Sequence, residues 1–140
     1  MHSIFSEVKA LGMPLGDYAI FGSGPMLVRN IIESSNDIDI ISRGAAWQHA
    51  QAIGELVYLE NYDVHVVSID DGLITIGTSW GIGEFDIDEL IDTAEIIRDL
   101  PFVRLQYVVD YKRIANRPKD LEHLELLGDV DHLNEINKVS

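Results

Sequence analysis

Phe5, Val8 and Leu11 recur at helical spacing, which predicts a helix from Ile4 to Leu11 that Gly12 and Pro14 bring to a stop. The rhythm then changes. Tyr18 to Phe21 is a short unbroken apolar run, as in a buried strand, and it ends abruptly on Gly22, Ser23 and Gly24. Pro25 sits where the first turn of a helix tolerates a missing N–H, so strand should pass to helix through a tight turn, with Met26, Leu27, Ile31 and Ile32 facing a sheet. Asn36 turns the chain into Asp37-Ile38-Asp39-Ile40-Ile41, where alternation puts both carboxylates on one side and Ile38 and Ile40 on the other.

Gly44 to Ile53 restores the helical period, closes at Gly54, and carries Trp47 and His49. Leu56 to Leu59, Asp63 to Ile69 and Leu73 to Thr78 are β-rich, and Asp70-Asp71-Gly72 is a hairpin signal between the last two. Asp86 and Glu89 have capping-box spacing, opening a helix whose buried stripe is expected at Leu90, Ile91, Ala94 and Ile97. Pro101 and Phe102 begin a connection into a helix from Leu105 to Ala115, and Pro118 opens a last helix to about Leu127. On that helix Leu121, Leu124 and Leu127 take core spacing, leaving Asp120, Glu122 and Glu125 mostly exposed. Interspersed strands and helices, without repeat or linker, make a single α/β domain over residues 1–128, followed by a polar tail at 129–140 that should fray.

Composition narrows the classes. The 140 residues, 46% hydrophobic and 24% charged, fit one globular domain with a sizeable core. No apolar run approaches a membrane span, and Met1 to Glu7 lacks the basic and apolar regions of a signal peptide, so a cytoplasmic protein free of membrane is expected. The absence of cysteine removes disulfides, thiolate zinc sites and cysteine nucleophiles together. His2, His49, His65, His123 and His132 show no paired ligand spacing, which argues against zinc. A net charge of −14 argues against long nucleic acid as a partner. It is compatible with a nucleoside triphosphate, whose charge can be met locally, and suits a cationic acceptor or a basic protein partner.

Two places carry candidate chemistry. Asp37 and Asp39, side by side on a strand, raise each other's pKa unless a cation relieves them, and a hard divalent ion such as Mg²⁺ is suited to that role. The Gly22-Ser23-Gly24 turn would point backbone N–H groups and the Ser23 hydroxyl at an anion such as phosphate. Far downstream, Lys112, Arg113, Arg117 and Lys119 place four of the ten basic residues within eight positions. The bland alternatives are a plain strand-to-helix turn, a solvated strand edge, and helix-end charges paired with nearby acids. Trp47 could stack on a base, but a large aromatic on a helix is more often core.

Phe21-Gly22-Ser23, thirteen residues, then Asp37-Ile38-Asp39-Ile40 resembles the signature of the nucleotidyltransferase superfamily related to DNA polymerase beta. Lys112 and Arg117-Pro118-Lys119-Asp120-Leu121 resemble the lysine and "RPKD" helix of its small bacterial members, extending the likeness over roughly Tyr18 to Leu127. The resemblance implies an α/β (α+β) fold with a mixed β-sheet of about five strands flanked by helices. It also implies transfer of a nucleoside monophosphate, first of all AMP, from an NTP such as ATP to a hydroxyl of a small molecule or protein. In that chemistry Asp37 and Asp39 hold Mg²⁺ or Mn²⁺, while Gly22, Ser23, Lys112, Arg117 and Lys119 meet the nucleotide's phosphates.

The small relatives also carry a third acid, on the strand before a tryptophan. Here Leu73-Ile74-Thr75-Ile76-Gly77-Thr78-Ser79-Trp80 has none, and Thr75 stands in its place. Asp63, Asp71 and Glu84 are the substitutes considered. Without one, the alternative is a catalytically degenerate nucleotide-binding or partner-binding module, one half of a two-gene system. The chain is too short for the extra helical domain of larger relatives, so a homodimer or partner protein is expected to complete the acceptor pocket.

Overall fold

The computed structural model describes residues 3–79 and 85–139, of which 129–139 are described by their backbone alone. The protein is a mixed α+β domain: seven strands in one sheet, ordered β3-β4-β5-β2-β1-β7-β6, flanked by helices. Two more strands than expected lie among the described residues.

The centre of the sheet is the unit foreseen from the pattern. β1 (Tyr18–Phe21) runs antiparallel to β2 (Ile38–Ser42), with Ile20 opposite Ile40 and Phe21 opposite Asp39. Between them α2 (Gly24–Val28) is only five residues long, so Ile31 and Ile32 lie beyond it, although both still pack into the core. The helix α1 (Ser3–Ala10) closes one face, its Phe5 ring edge-on to Phe102 at 5.4 Å. The helix α3 (Gly44–Ile53) lies on the same face, with Ala46 and Ala50 buried and Trp47 packed half-buried against the core, as its bland interpretation had it.

β3 (Glu55–Leu59), β4 (Val64–Ile69) and β5 (Ile74–Gly77) form an antiparallel meander, and β5 joins the centre by pairing parallel to β2. The turn at Asp70, Asp71 and Gly72 has positive φ throughout. Asp86 caps α4 (Ile87–Asp92), its carboxylate accepting from the Glu89 N–H at 3.2 Å.

That helix stops earlier than the apolar spacing suggested. Thr93 ends it, its hydroxyl donating back to the Glu89 carbonyl at 2.6 Å, and Ala94 and Ile97 are not on a helix at all. The chain instead makes a hairpin of β6 (Glu95–Ile97) and β7 (Leu100–Phe102), turning on Arg98 and Asp99 at positive φ. β7 pairs parallel to β1 through Ile20 and Phe102, so Pro101 and Phe102 are sheet residues rather than a connection. The helix α5 (Leu105–Ala115) ends at a left-handed Asn116, and α6 (Pro118–Val139) runs past Gly128, where the pattern had ended it.

One core face gathers Phe5, Ile20, Met26, Ile38, Ile40, Ile74 and Ile76; the other gathers Ala19, Phe21, Ile41, Leu90, Val103 and Tyr111. No described helix is long and apolar enough to cross a membrane.

Candidate active site

Antiparallel pairing of β1 with β2 brings the end of one strand against the start of the other. The Gly22 turn therefore lies directly on Asp39. A Cβ built on Gly22 would stand 2.8 Å from Asp39 Oδ2, and Gly22 has φ +60°, so both space and backbone demand glycine. Gly24 is constrained by packing as well, since a Cβ there would meet Ile20 Cγ2 at 2.3 Å. These glycines let strand and helix close over one carboxylate.

Ser23 heads α2 without capping it through its side chain. Its hydroxyl instead accepts a hydrogen bond from Lys112 Nζ at 3.3 Å. Lys112 and Ser23 are thus brought together across 89 residues of chain.

Asp39 makes no hydrogen bond or ion pair with any described residue. Burial, then the charge of Asp37, pushes its carboxyl up to about 6, against the pull of Lys119, Arg117 and Lys112. The two acids are adjacent as expected, Asp37 exposed just before β2 and Asp39 half-buried within it. All three cations from the C-terminal helices act on the same carboxylate, although Lys119 itself stays in solvent. Arg113 belongs elsewhere, on the exposed side of α5.

Asp120, expected in solvent, is fully buried. It accepts from Arg117 three times, at the backbone N (3.0 Å), Nε (2.6 Å) and Nη2 (3.2 Å), and pairs with Lys112 Nζ at 3.5 Å. Burial alone would raise the Asp120 pKa; the hydrogen bonds from Arg117 outweigh it and hold the carboxyl below its usual range. Burial lowers the Lys112 pKa while Asp120 opposes the fall. Leu121, assigned to the core, is instead 55% exposed: the helix turns its Asp120 side inward, with Leu127.

A signal for Asp120 did exist. An acid three residues after Arg117, with proline between at the first helical position, has the spacing that reaches back to a helix N-terminal N–H.

Tyr111 went unmarked in the sequence. It lies under the Arg117 guanidinium, 5.9 Å from ring centroid to Cζ, and edge-on to Phe21 at 5.0 Å. Burial pushes its phenol up to about 12. Phe85 meets Phe21 at 5.9 Å and also lines a cavity of about 480 Å³ between α4 and α5, with Asp86, Glu89, Tyr107, Asp110 and Arg113.

Thr75, which stands where the resemblance would put a third acid, sits beside Asp39 in register. Asp63 is in the turn before β4, at the opposite end of the sheet, with its carboxylate on the Tyr58 hydroxyl. Asp71 lies in the exposed β4–β5 turn, at the same end as Asp37, and Glu84 lies outside the described residues. No group of three or more acids and histidines among the described residues is placed to hold a metal ion.

No family model, no curated protein and no solved structure matches this chain.

Proposed function

We propose that the protein is a metal-dependent nucleotidyltransferase that moves a nucleoside monophosphate, AMP in the first instance, from an NTP to a hydroxyl of a small molecule or protein. The observation that carries this is the closure of Gly22 over Asp39, which leaves a half-buried carboxylate beside a second one with no described protein partner. Two such hard oxygen donors fit Mg²⁺ or Mn²⁺, which uses one or two carboxylates and completes its shell with phosphate oxygens. Asp37 and Asp39 would hold the ion, and when bound it supplies charge stabilisation for in-line displacement at the α-phosphorus. Lys112 steadies the Ser23 turn, and Lys119 with the outer side of Arg117 offers positive charge to the triphosphate. The acceptor hydroxyl releases its proton to solvent as its oxygen bonds to the α-phosphorus, the bond to the bridging oxygen breaks, and pyrophosphate leaves. The ATP and Mg²⁺ required place this activity in the cytoplasm, with a second copy or a partner protein completing the acceptor pocket.

Thr75 beside Asp39 favours a second outcome, nucleotide binding without transfer. A missing general base typically costs ~10²- to 10⁴-fold in rate. The test is incubation with each α-³²P-labelled NTP and Mg²⁺, with and without cell extract, against an Asp37→Ala/Asp39→Ala control. Label moved only by the wild type supports transfer; Mg²⁺-dependent binding without transfer supports the binding module. Identical behaviour of wild type and control removes both.

A further inference from the structure

The sheet has a free edge at β3, with no described strand beyond it. Leu56 and Tyr58, two residues apart and so on one face, are 54% and 48% exposed. Their face is the one covered further in by α3: Leu56 pairs with the buried Val67, and Tyr58 with His65, whose ring centroid lies 4.9 Å away. Ile53, at the end of α3, is 42% exposed beside them; Tyr62, in the turn after β3, is equally exposed and lies within reach of the Arg117 charge.

Soluble proteins block such edges with lysine, proline, a bulge or a covering segment. Glu55–Leu59 contains neither lysine nor proline and pairs with β4 in unbroken register. No described strand takes up the backbone groups on its outer side.

Charge then selects the occupant. Not one of the ten Lys and Arg residues falls between 44 and 97. Pairing of Glu55 with Ser68 brings one end of β3 toward the Asp70-Asp71 turn, while Glu60 and Asp63 flank its other end. The edge is therefore apolar in the middle and acidic at both ends.

We propose that the β3 edge binds an extended segment of a basic protein partner, which adds a strand to the sheet with apolar residues over Leu56 and Tyr58 and Lys or Arg at its two ends. A second copy of this chain fits poorly. Antiparallel self-pairing about Val57 would bring Glu55 of one copy beside Leu59 and Glu60 of the other, between molecules each carrying −14. The proposal stands apart from the nucleotidyltransferase reading and survives if that reading fails.

The experiment measures amide hydrogen exchange on the full chain, alone and with two synthetic peptides. Both have an alternating Val and Thr centre; one carries two lysines at each end, the other two glutamates. The lysine peptide is expected to slow exchange at 55–59 by about tenfold or more, with the glutamate peptide leaving it unchanged. Leu56→Lys/Tyr58→Lys should abolish this protection, whereas Ile96→Lys at the opposite edge should preserve it. If the double lysine variant does not fold, Leu56→Thr/Tyr58→Thr takes its place and should weaken the protection. Equal protection by both peptides would overturn the basic partner, and no protection at 55–59 would overturn the site. Protection that grows with protein concentration alone would assign the edge to a second copy and overturn the proposal likewise.

Discussion

Under α5 and α6, Asp120 holds Arg117 and Lys112 with no exposed surface of its own; at the β3 edge, Asp63 holds the Tyr58 hydroxyl in open solvent. The same side-chain chemistry does different work in the two places. In the first, two helices fix cations around Asp39, and losing the carboxylate strands a buried ammonium. In the second, water replaces whatever is lost, and under the proposal above the acids would act through their summed charge on an approaching partner. Burial, rather than residue type, separates the two acids.

The largest effect should come from breaking that contrast at its buried end. Asp120→Asn is expected to cost about 3 kcal/mol or more, because it removes one partner of a buried ion pair and leaves the other uncompensated. Asp63→Asn should leave the urea unfolding curve unchanged. Equal losses in the two variants would mean that burial does not distinguish the two regions.

Asp39→Asn should act in the opposite direction, stabilising the metal-free protein at pH 7.5 by roughly 1–3 kcal/mol. The sign follows from an acid whose folded pKa, about 6, lies above its ordinary 3.8. The folded state holds this proton more tightly than the unfolded state, so ionisation costs stability. The cost is absent below the unfolded pKa, grows between the two values, and is complete above the folded one. Thermal scans from pH 4 to 8 should therefore show the gain from Asp39→Asn vanishing at the acid end. Added Mg²⁺ should raise the wild-type Tm and leave that of the variant where it was; an equal rise in both would break the assignment of Asp39 as a ligand.

Two glycines sharpen the comparison at smaller scale. Gly72, in the β4–β5 turn, has φ +91° and open space around it, so Gly72→Ala meets backbone strain alone, about 1 kcal/mol. Gly22→Ala adds a methyl 2.8 Å from the Asp39 carboxylate and should cost about 1 kcal/mol more. It should also weaken Mg²⁺-dependent nucleotide binding. The smallest effect is expected from Tyr58→Phe, which removes an exposed hydroxyl and should leave Tm unaltered while preserving peptide protection at the β3 edge.

Much of the fold was legible where local chemistry and tertiary packing agree. The strand and turn from Tyr18, the Asp70 to Gly72 hairpin and the Asp86 cap each have short-range causes and formed where expected, whereas the helix after the turn starts where expected but ends at Val28, short of Ile31 and Ile32. The β6–β7 hairpin was not legible. Ala94 and Ile97 continue the helical spacing of Leu90, and the turn uses Arg98 and Asp99 at positive φ in place of glycine. What makes β7 a strand is the edge of β1, where the Val103 N–H donates to the Ile20 carbonyl at 2.9 Å. No residue near Pro101 carries that information.

The candidate site divides along the same line. The sequence alone determined that Asp37 and Asp39 would stand together after a glycine-rich turn, because alternation along a strand and the conformational needs of a tight turn act over a few bonds. It also determined that the basic residues would gather after Lys112. Only the tertiary structure decided which of those cations reach Asp39, and that Asp120 faces inward while Leu121 faces water. Those outcomes depend on how two helices dock on a sheet assembled from distant strands. A helix with both leucines and acids on neighbouring positions can bury either side, and here the buried Lys112 together with the half-exposed Arg117 settles it in favour of the acid.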